Sequence, residues 1–448
     1  MNKDEARAVL DEVLRAAGAR EVEAVIGGGA NHLTRFANNE ITQNVSERRT
    51  VLSVRVVEGK RTGRASGNDL SRSGIDRLIH AAAEAARLSP EIPDLLPLPG
   101  PQVYREVEGE DAATASLGPE DRAREVGRAI ERCRAAGLTA AGIYESGQGT
   151  IGDYGELGVL AIANSRGLFA YHRGTDAAFR ISALDGTASG WAARESHRAS
   201  DIDGATLAAR AADKAIRSRD PVAWEPGAYT VILEPAAVAD LLIDTSWLSF
   251  GALPVQEGRS FLSGRTGEQV SGGNITIRDD PYHPLQRGTP FDAEGIPVQA
   301  TTIIEGGIAK GPVYDRQTAA KEGRESTGHS LPVPNTFGPI TRHLVLDGDG
   351  GPPEALLEGI ERGLWVTRVW YTNVVDPKTV TLTGMTRDGL FAIERGKVTR
   401  SVRNFRFNQS VVELLKRVEG FSKPELNGGV VCPGLRVREF HMSSVTEF

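Results

Sequence analysis

Thiols are almost missing from this chain of 448 residues: Cys133 and Cys432 are the only two cysteines. One falls inside a helical pattern and the other in an apolar strand, with no C-x-x-C pair. A disulfide framework and a cysteine-rich zinc site are therefore both excluded. Long apolar runs are missing too, and nothing approaches the roughly eighteen residues that a membrane-spanning helix needs. The opening Met1-Asn2-Lys3-Asp4-Glu5 leads into an amphipathic helix rather than the apolar core of a signal peptide, so the chain reads as neither secreted nor membrane-spanning. Nor is there an excess of positive charge: 52 Lys and Arg stand against 59 Asp and Glu, for a net charge of -7. That balance offers no general attraction to phosphate backbones, and direct nucleic-acid binding is not expected.

Familiar catalytic words are absent as well. A nucleophile elbow needs G-x-S-x-G, and the nearest stretch, Gly328-His329-Ser330-Leu331, fails at Pro332. No G-x-x-x-x-G-K-[ST] and no G-x-G-x-x-G after a strand is present, which removes the usual nucleotide cradles.

What the chain has in quantity is turn residues, 51 Gly and 23 Pro, around a hydrophobic content of 40%. Its length exceeds what one core ordinarily serves, so two domains are expected. Asp4 is read as the cap of a first helix whose apolar positions Ala6, Val9, Leu10, Val13 and Leu14 follow helical spacing. Short strands follow at Val22 to Ile26, His32 to Phe36, Ile41 to Val45 and Val51 to Val57, with a hairpin at Glu58-Gly59-Lys60 into Arg61 to Ala65. A helix over Leu70 to Leu88 stops at Pro90. Five prolines from Pro90 to Pro101 predict an extended crossover inside the first domain. A helix over Pro119 to Ala136, strands from Ala140 to Trp191 and a helix over Gly204 to Arg217 complete a second, loosely similar half.

The best boundary is Pro221-Val222-Ala223-Trp224-Glu225-Pro226-Gly227, where two prolines and a glycine separate a helix from a fresh strand at Tyr229 to Leu233. The fold class is accordingly α+β. An N-terminal domain over 1–222 has antiparallel sheet and packed helices, and a β-rich domain over 223–448 is built around one long helix, Pro235 to Leu248.

Polar groupings divide into turns and candidates. Asp347-Gly348-Asp349 with Glu358 lacks the glycine a calcium loop requires at its sixth place, where Pro352 stands. Asp76, His80 and Glu84 share one helix face, opposite Leu78, Ile79 and Ala82, and read as its solvated side. Asp279-Asp280-Pro281-Tyr282-His283 and Asp292-Ala293-Glu294-Gly295 bring carboxylates and a histidine into tight turns. His283, Asp292, Glu294, Tyr314, Arg324, Glu325 and His329 form the densest polar set in the second domain, and a groove or subunit contact lined by them is expected. Arg324 can give a carboxylate or a peptide C-terminus a two-pronged contact, or pair with a neighbouring carboxylate of its own chain.

Several words in the second half resemble the TldD/PmbA family of bacterial and archaeal peptidase-complex subunits, some of them also described as modulators of DNA gyrase. They are Ser263-Gly264-Arg265-Thr266-Gly267-Glu268-Gln269-Val270, Asp292-Ala293-Glu294-Gly295-Ile296-Pro297, Ile304-Glu305-Gly306-Gly307-Ile308-Ala309-Lys310-Gly311, and Gly323-Arg324-Glu325-Ser326 with Leu331-Pro332-Val333-Pro334-Asn335. The first half agrees more loosely, through the hairpin Ser53 to Asn68 and the helix after it.

In the metal-bearing subunits of that family, the helix before the Ser-Gly word carries His-Glu-x-x-x-His, and a later cysteine completes a zinc site. Two imidazoles and a thiolate hold the metal, and the glutamate takes a proton from its bound water. Counted back from Ser263, that motif falls on Ile243-Asp244-Thr245-Ser246-Trp247-Leu248. Ile243 and Leu248 replace both histidines, Asp244 stands at the glutamate, and no cysteine occurs between Thr379 and Glu394. The resemblance therefore implies a TldE/PmbA-type, non-catalytic subunit that binds no cofactor itself. It further implies a cytoplasmic complex with a zinc-bearing TldD-type partner, or a homodimer in isolation, handling unfolded peptides with no role for nucleic acid or membrane. Leu241, Leu242, Trp247 and Leu248 are expected to be buried where ligands are lost. A hydrolase with a displaced site at Asp292, Glu294, His283 or His329, and a peptide-holding adaptor, are the alternatives.

Overall fold

The structure is a computed structural model in which residues 1–149 and 160–446 are described. The chain is α+β with antiparallel sheets. Its first half runs α1 (Lys3–Ala17), β1 (Glu21–Ala37), β2 (Glu40–Glu58), β3 (Arg61–Gly67), α2 (Arg72–Leu88), α3 (Ala112–Ala115) and α4 (Pro119–Ala135). It continues through β4 (Thr139–Gly149), β5 (Ala161–Asn164), β6 (Phe169–Tyr171), β7 (Gly174–Asp185), β8 (Ala188–Ser196) and α5 (Gly204–Arg217). Part of the strand run expected over Ala140 to Trp191, residues 150–159, lies outside the described residues.

Asn2, not Asp4, caps α1: its side chain accepts from the Glu5 N–H while Glu5 reaches back to the Asn2 N–H, and Asp4 sits in the first turn. The short strands expected between Val22 and Val57 merge into β1 and β2, paired antiparallel along nearly their whole length. Glycines in β1 permit close approach of the neighbouring strands. A Cβ at Gly28, whose φ is 110°, would lie 2.3 Å from the Arg49 carbonyl oxygen, and one at Gly29 would lie 2.1 Å from that of Gln148. Among the described residues these strands form one eight-stranded sheet, six along the path β3-β2-β1-β4-β7-β8, with β5 paired to β1 and β6 paired to β5 off that path. Helices α1 and α2 pack on one part of it, over Leu10, Val13, Leu52, Val54 and Ile75. Helices α4 and α5 pack on another, over Val126, Ile130, Phe179 and Ala211.

The connector after α2 does not stay within the first half. The Tyr104 hydroxyl donates to the Gly295 carbonyl at 2.7 Å, and Arg316 donates to the Pro97 carbonyl at 2.7 Å. Proline makes the segment stiff, and its free carbonyls are the natural acceptors for side chains of the facing half.

The second half contains β9 (Gly227–Leu233), α6 (Pro235–Ser249), α7 (Ala252–Gln256), β10 (Ile277–Asp279), β11 (Thr301–Glu305), β12 (Ile308–Ala309), α8 (Arg316–Lys321) and β13 (Leu344–Leu346). After these come β14 (Arg362–Asp376), β15 (Thr381–Glu394), β16 (Lys397–Ser401), β17 (Phe405–Ser410), α9 (Val411–Lys416), β18 (Val418–Phe421), β19 (Glu425–Asn427), β20 (Val430–Cys432) and β21 (Leu435–Val445). Among the described residues they make a six-stranded and a seven-stranded sheet. One continuous core holds both sheets to α6, with Leu241, Leu242, Ile277, Ile304, Leu364, Leu390, Phe407 and Phe440 buried in it. Among the described residues no helix is long and apolar enough to cross a membrane.

Candidate functional site

Helix α6 starts at Pro235, whose fixed φ and missing N–H suit a first helical position, and it is apolar on most sides because strands surround it. Leu241 and Leu242 are buried, whereas Ile243 and Leu248 are half-buried and pack against the core. Trp247 departs from the expected burial. It is 38% exposed, with its ring edge-on to exposed Phe337 at 6.4 Å. Which side of the helix stays exposed is something helical periodicity alone could not reveal.

Hydrocarbon side chains at 243 and 248 offer no lone pair to a cation. Burial pushes the Asp240 carboxyl up to about 7, against the pull of Arg368 and with help from Asp244. Burial also raises Asp244, opposed by a hydrogen bond to Thr372 on β14. Cys432 lies beside the same helix, its Sγ donating to the Pro235 carbonyl at 3.3 Å, and burial holds the thiol in its protonated form. Among the described residues no three His, Cys, Asp or Glu side chains come together in a way that could hold a metal ion. The side chains on α6 do not fit a zinc site.

An open cleft of about 600 Å³ lies elsewhere, lined by Gln256, Lys310, Tyr314, Arg324, Glu325 and Thr327 among others. Three residues of the expected polar set are therefore on its wall. The Tyr314 hydroxyl donates to Glu322 Oε2 at 2.8 Å, and burial together with that carboxylate pushes its pKa up to about 12. Arg324 Nε is 3.2 Å from the same Glu322 oxygen, so its charge is matched within the chain.

Asp292, Glu294 and His329 do not join that wall; all three are buried. Asp292 accepts backbone N–H groups from Glu294, Ile296 and Ser330, each at 2.9 Å, and locks the Asp292–Ile296 turn onto the segment at Ser330. Burial and the nearby Glu294 carboxylate raise its pKa, and burial raises Glu294, which lies 3.3 Å from Arg316. A tight turn explains the residue types, and the facing halves cover it. His283 is separate again, its Nδ1 accepting from the Leu285 N–H at 3.2 Å in its own turn.

His329 belongs to a buried group centred on Asp279. One Asp279 oxygen accepts the backbone N–H groups of Arg342 and His343, both at 2.7 Å. The other lies 3.0 Å from His329 Nε2 and 3.4 Å from His343 Nδ1. Burial alone would raise this carboxyl, but the two histidines hold it well below the usual carboxylate range. Thr327 Oγ1 is 2.8 Å from His329 Nδ1, so a line of contacts runs from the cleft wall to the buried carboxylate. Asp279 stood in a run read as a turn, and Thr327 and His343 carried no signal. Only the pairing of β10 with β13, which sets Asp279 against Leu344, brings them together.

Comparison with known proteins gives this geometry a family. A model of the PmbA/TldA metallopeptidase C-terminal domain matches residues 226–444, domain 1 of that family matches 22–86, and its central domain matches 119–219. The family models thus divide in two the residues that one continuous sheet unites here. A metalloprotease TldD homolog from Haemophilus influenzae is 26% identical over 244 residues, covering 52% of this chain and 49% of that one. A metalloprotease PmbA homolog from the same organism is 37% identical over 112 residues, 25% of this chain and 23% of that one. The matched stretches thus span about half or less of these curated relatives. The structure of TldE from Thermococcus kodakarensis superposes with a TM-score of 0.84 over 97% of this chain and 99% of that one, at 22% identity, a likeness of fold. With all three domain models matched in order along its length, the chain belongs to the PmbA/TldD metallopeptidase family.

Proposed function

We propose that this chain is a metal-free, TldE-like subunit that pairs in the cytoplasm with a zinc-bearing TldD-type chain and helps to confine unfolded peptides at the partner's metal. One observation carries the reading: α6 keeps its place in the core while Ile243 and Leu248 present no donor atoms at the positions the family's zinc motif would occupy. A helix retained without its chemistry is consistent with a scaffold used for shape. An extended peptide can be held through its own backbone groups, without regard to its side chains.

Mixing the purified chain with a TldD-type partner and following an unfolded peptide by mass spectrometry tests the pairing, with each chain alone as control. Cleavage is expected from the pair, sensitive to chelator and stronger than from the partner alone. A partner fully active by itself and indifferent to this chain would overturn the reading.

The line Thr327–His329–Asp279 favours one second reading, a hydrolase using the Thr327 hydroxyl. Against it, the same Oγ1 already accepts the Tyr314 N–H at 2.7 Å. Chelator-insensitive cleavage by this chain alone, abolished by Thr327→Val, would select it.

A further inference from the structure

Among the described residues, Arg122 is the largest side chain that the fold removes wholly from water, at 0% exposure. It lies at the start of α4, on the helix face that also carries Val126, Ala129 and Ile130. Its Nη1 donates to the Leu117 carbonyl at 3.0 Å and its Nη2 to Asn44 Oδ1 at 3.4 Å, while Nε has no partner. Arg124 and Arg128 of the same helix are paired with Asp121 and Glu125, but among the described residues no carboxylate forms an ion pair with Arg122. Glu120 and Asp121 act on it only as exposed charges at a distance. A guanidinium keeps its charge at any working pH, and the positive end of the helix dipole lies beside this one. Burying such a charge is costly unless an anion touches it.

The sheet beneath offers further donors. Thr34 pairs with Asn44 on one side and Tyr144 on the other, so these three form one row across β2, β1 and β4. The next row on the same face sets His32 opposite Ser146. Phe36 and Tyr144 pack with Val126 in one core, which makes this the face that α4 covers. The hydroxyls of Thr34 and Ser146 are buried there, the side chains 0% and 1% exposed, and neither has a hydrogen-bond partner. As diagonal neighbours of an antiparallel pair, their Cβ atoms are set about 7 Å apart, a spacing that lets both hydroxyls turn toward one atom between them. Burial, Arg122 and Arg48 hold the His32 imidazole below its ordinary pKa, as expected where positive charge is in excess.

We propose that the Arg122 guanidinium and the Thr34 and Ser146 hydroxyls together hold a small inorganic anion of the halide class between α4 and the sheet. One unmatched positive charge calls for one negative charge, and three wholly buried side chains enclose space for an ion rather than a molecule. The site is independent of any metal-bearing partner and of peptide handling.

Melting curves of the full chain in sodium chloride and in sodium gluconate at equal ionic strength test it, because an anion that binds only the folded state stabilises by mass action. Chloride is expected to raise the melting temperature saturably, and gluconate, too bulky for the site, is not. Crystals grown in sodium bromide are expected to show an anomalous peak in contact with Arg122 Nε and the two hydroxyls. Thr34→Val with Ser146→Ala keeps the guanidinium and is expected to raise the chloride concentration for half the effect at least tenfold, with circular dichroism unchanged. Arg122→Met is expected to abolish the effect; should that chain fail to fold, the hydroxyl pair carries the test. A wild type that melts alike in both salts, a bromide-grown crystal with only water at the position, or a chloride response unaltered by Thr34→Val with Ser146→Ala would each overturn the proposal.

Discussion

The ammonium of Lys214 on α5 lies 2.7 Å from the carboxylate of Glu234, the residue immediately before α6, and the other oxygen of that carboxylate accepts the Trp365 indole N–H at 2.7 Å. Both charged side chains are largely buried, so this contact ties the last helix of the first half to the start of α6. Lys214→Ala leaves a buried carboxylate with one partner. It is expected to cost roughly 2–4 kcal/mol in chemical denaturation.

Asp240 makes stability depend on pH. Its carboxyl titrates near 7 in the folded chain against an ordinary value of 3.8. Between those values the folded state binds the proton that the unfolded state has released, so stability falls as pH rises through that window and levels off above it. Asp240→Asn removes the penalty. The variant is expected to gain on the wild type progressively from about pH 4 to pH 7, by on the order of a few kcal/mol at the upper end, read as denaturation midpoints at a series of pH values.

Two polar residues of the second half should respond oppositely to truncation. Asp279→Ala strips two backbone N–H groups and two histidines of their acceptor in a buried site, and a loss of roughly 3–5 kcal/mol is expected. Arg324 is 61% exposed and paired with Glu322 at the surface. Arg324→Ala is expected to cost less than about 1 kcal/mol, while activity of the mixed complex falls if the cleft contacts peptide or partner. Melting curves and peptide cleavage on the same samples separate the two effects.

Leu241 tests the packing of α6 itself. Its side chain is 2% exposed within the large core, so Leu241→Ala should open a cavity and destabilise by about 2–5 kcal/mol. A loss below about 1 kcal/mol would mean the helix is not seated as described.

Periodicity and punctuation reveal much of this architecture in the sequence. The spacing of Ile75, Ile79, Ala82 and Ala86 marks α2, Gly204 to Arg217 is α5 as read, and Pro226-Gly227 opens β9. The Gly27 to Gly29 run misleads, because glycine signals a turn and a close strand crossing equally well, and only the neighbouring strand decides. Of the candidate cleft, Tyr314, Arg324 and Glu325 were legible as polar residues close together in the sequence. The grouping of Asp279 with His329 and His343 is set by sheet register, and the withdrawal of Asp292 and Glu294 from the surface is set by the half that covers them. Neither leaves a mark on neighbouring residues.

The way α6 is held separates its anchoring from its partly buried positions. Ala237, Val238, Leu241 and Leu242 anchor the helix, while the two motif positions lie only half within the core. The seat of the helix therefore rests on side chains other than those at 243 and 248, and a substitution at either of these two leaves the buried anchors in place.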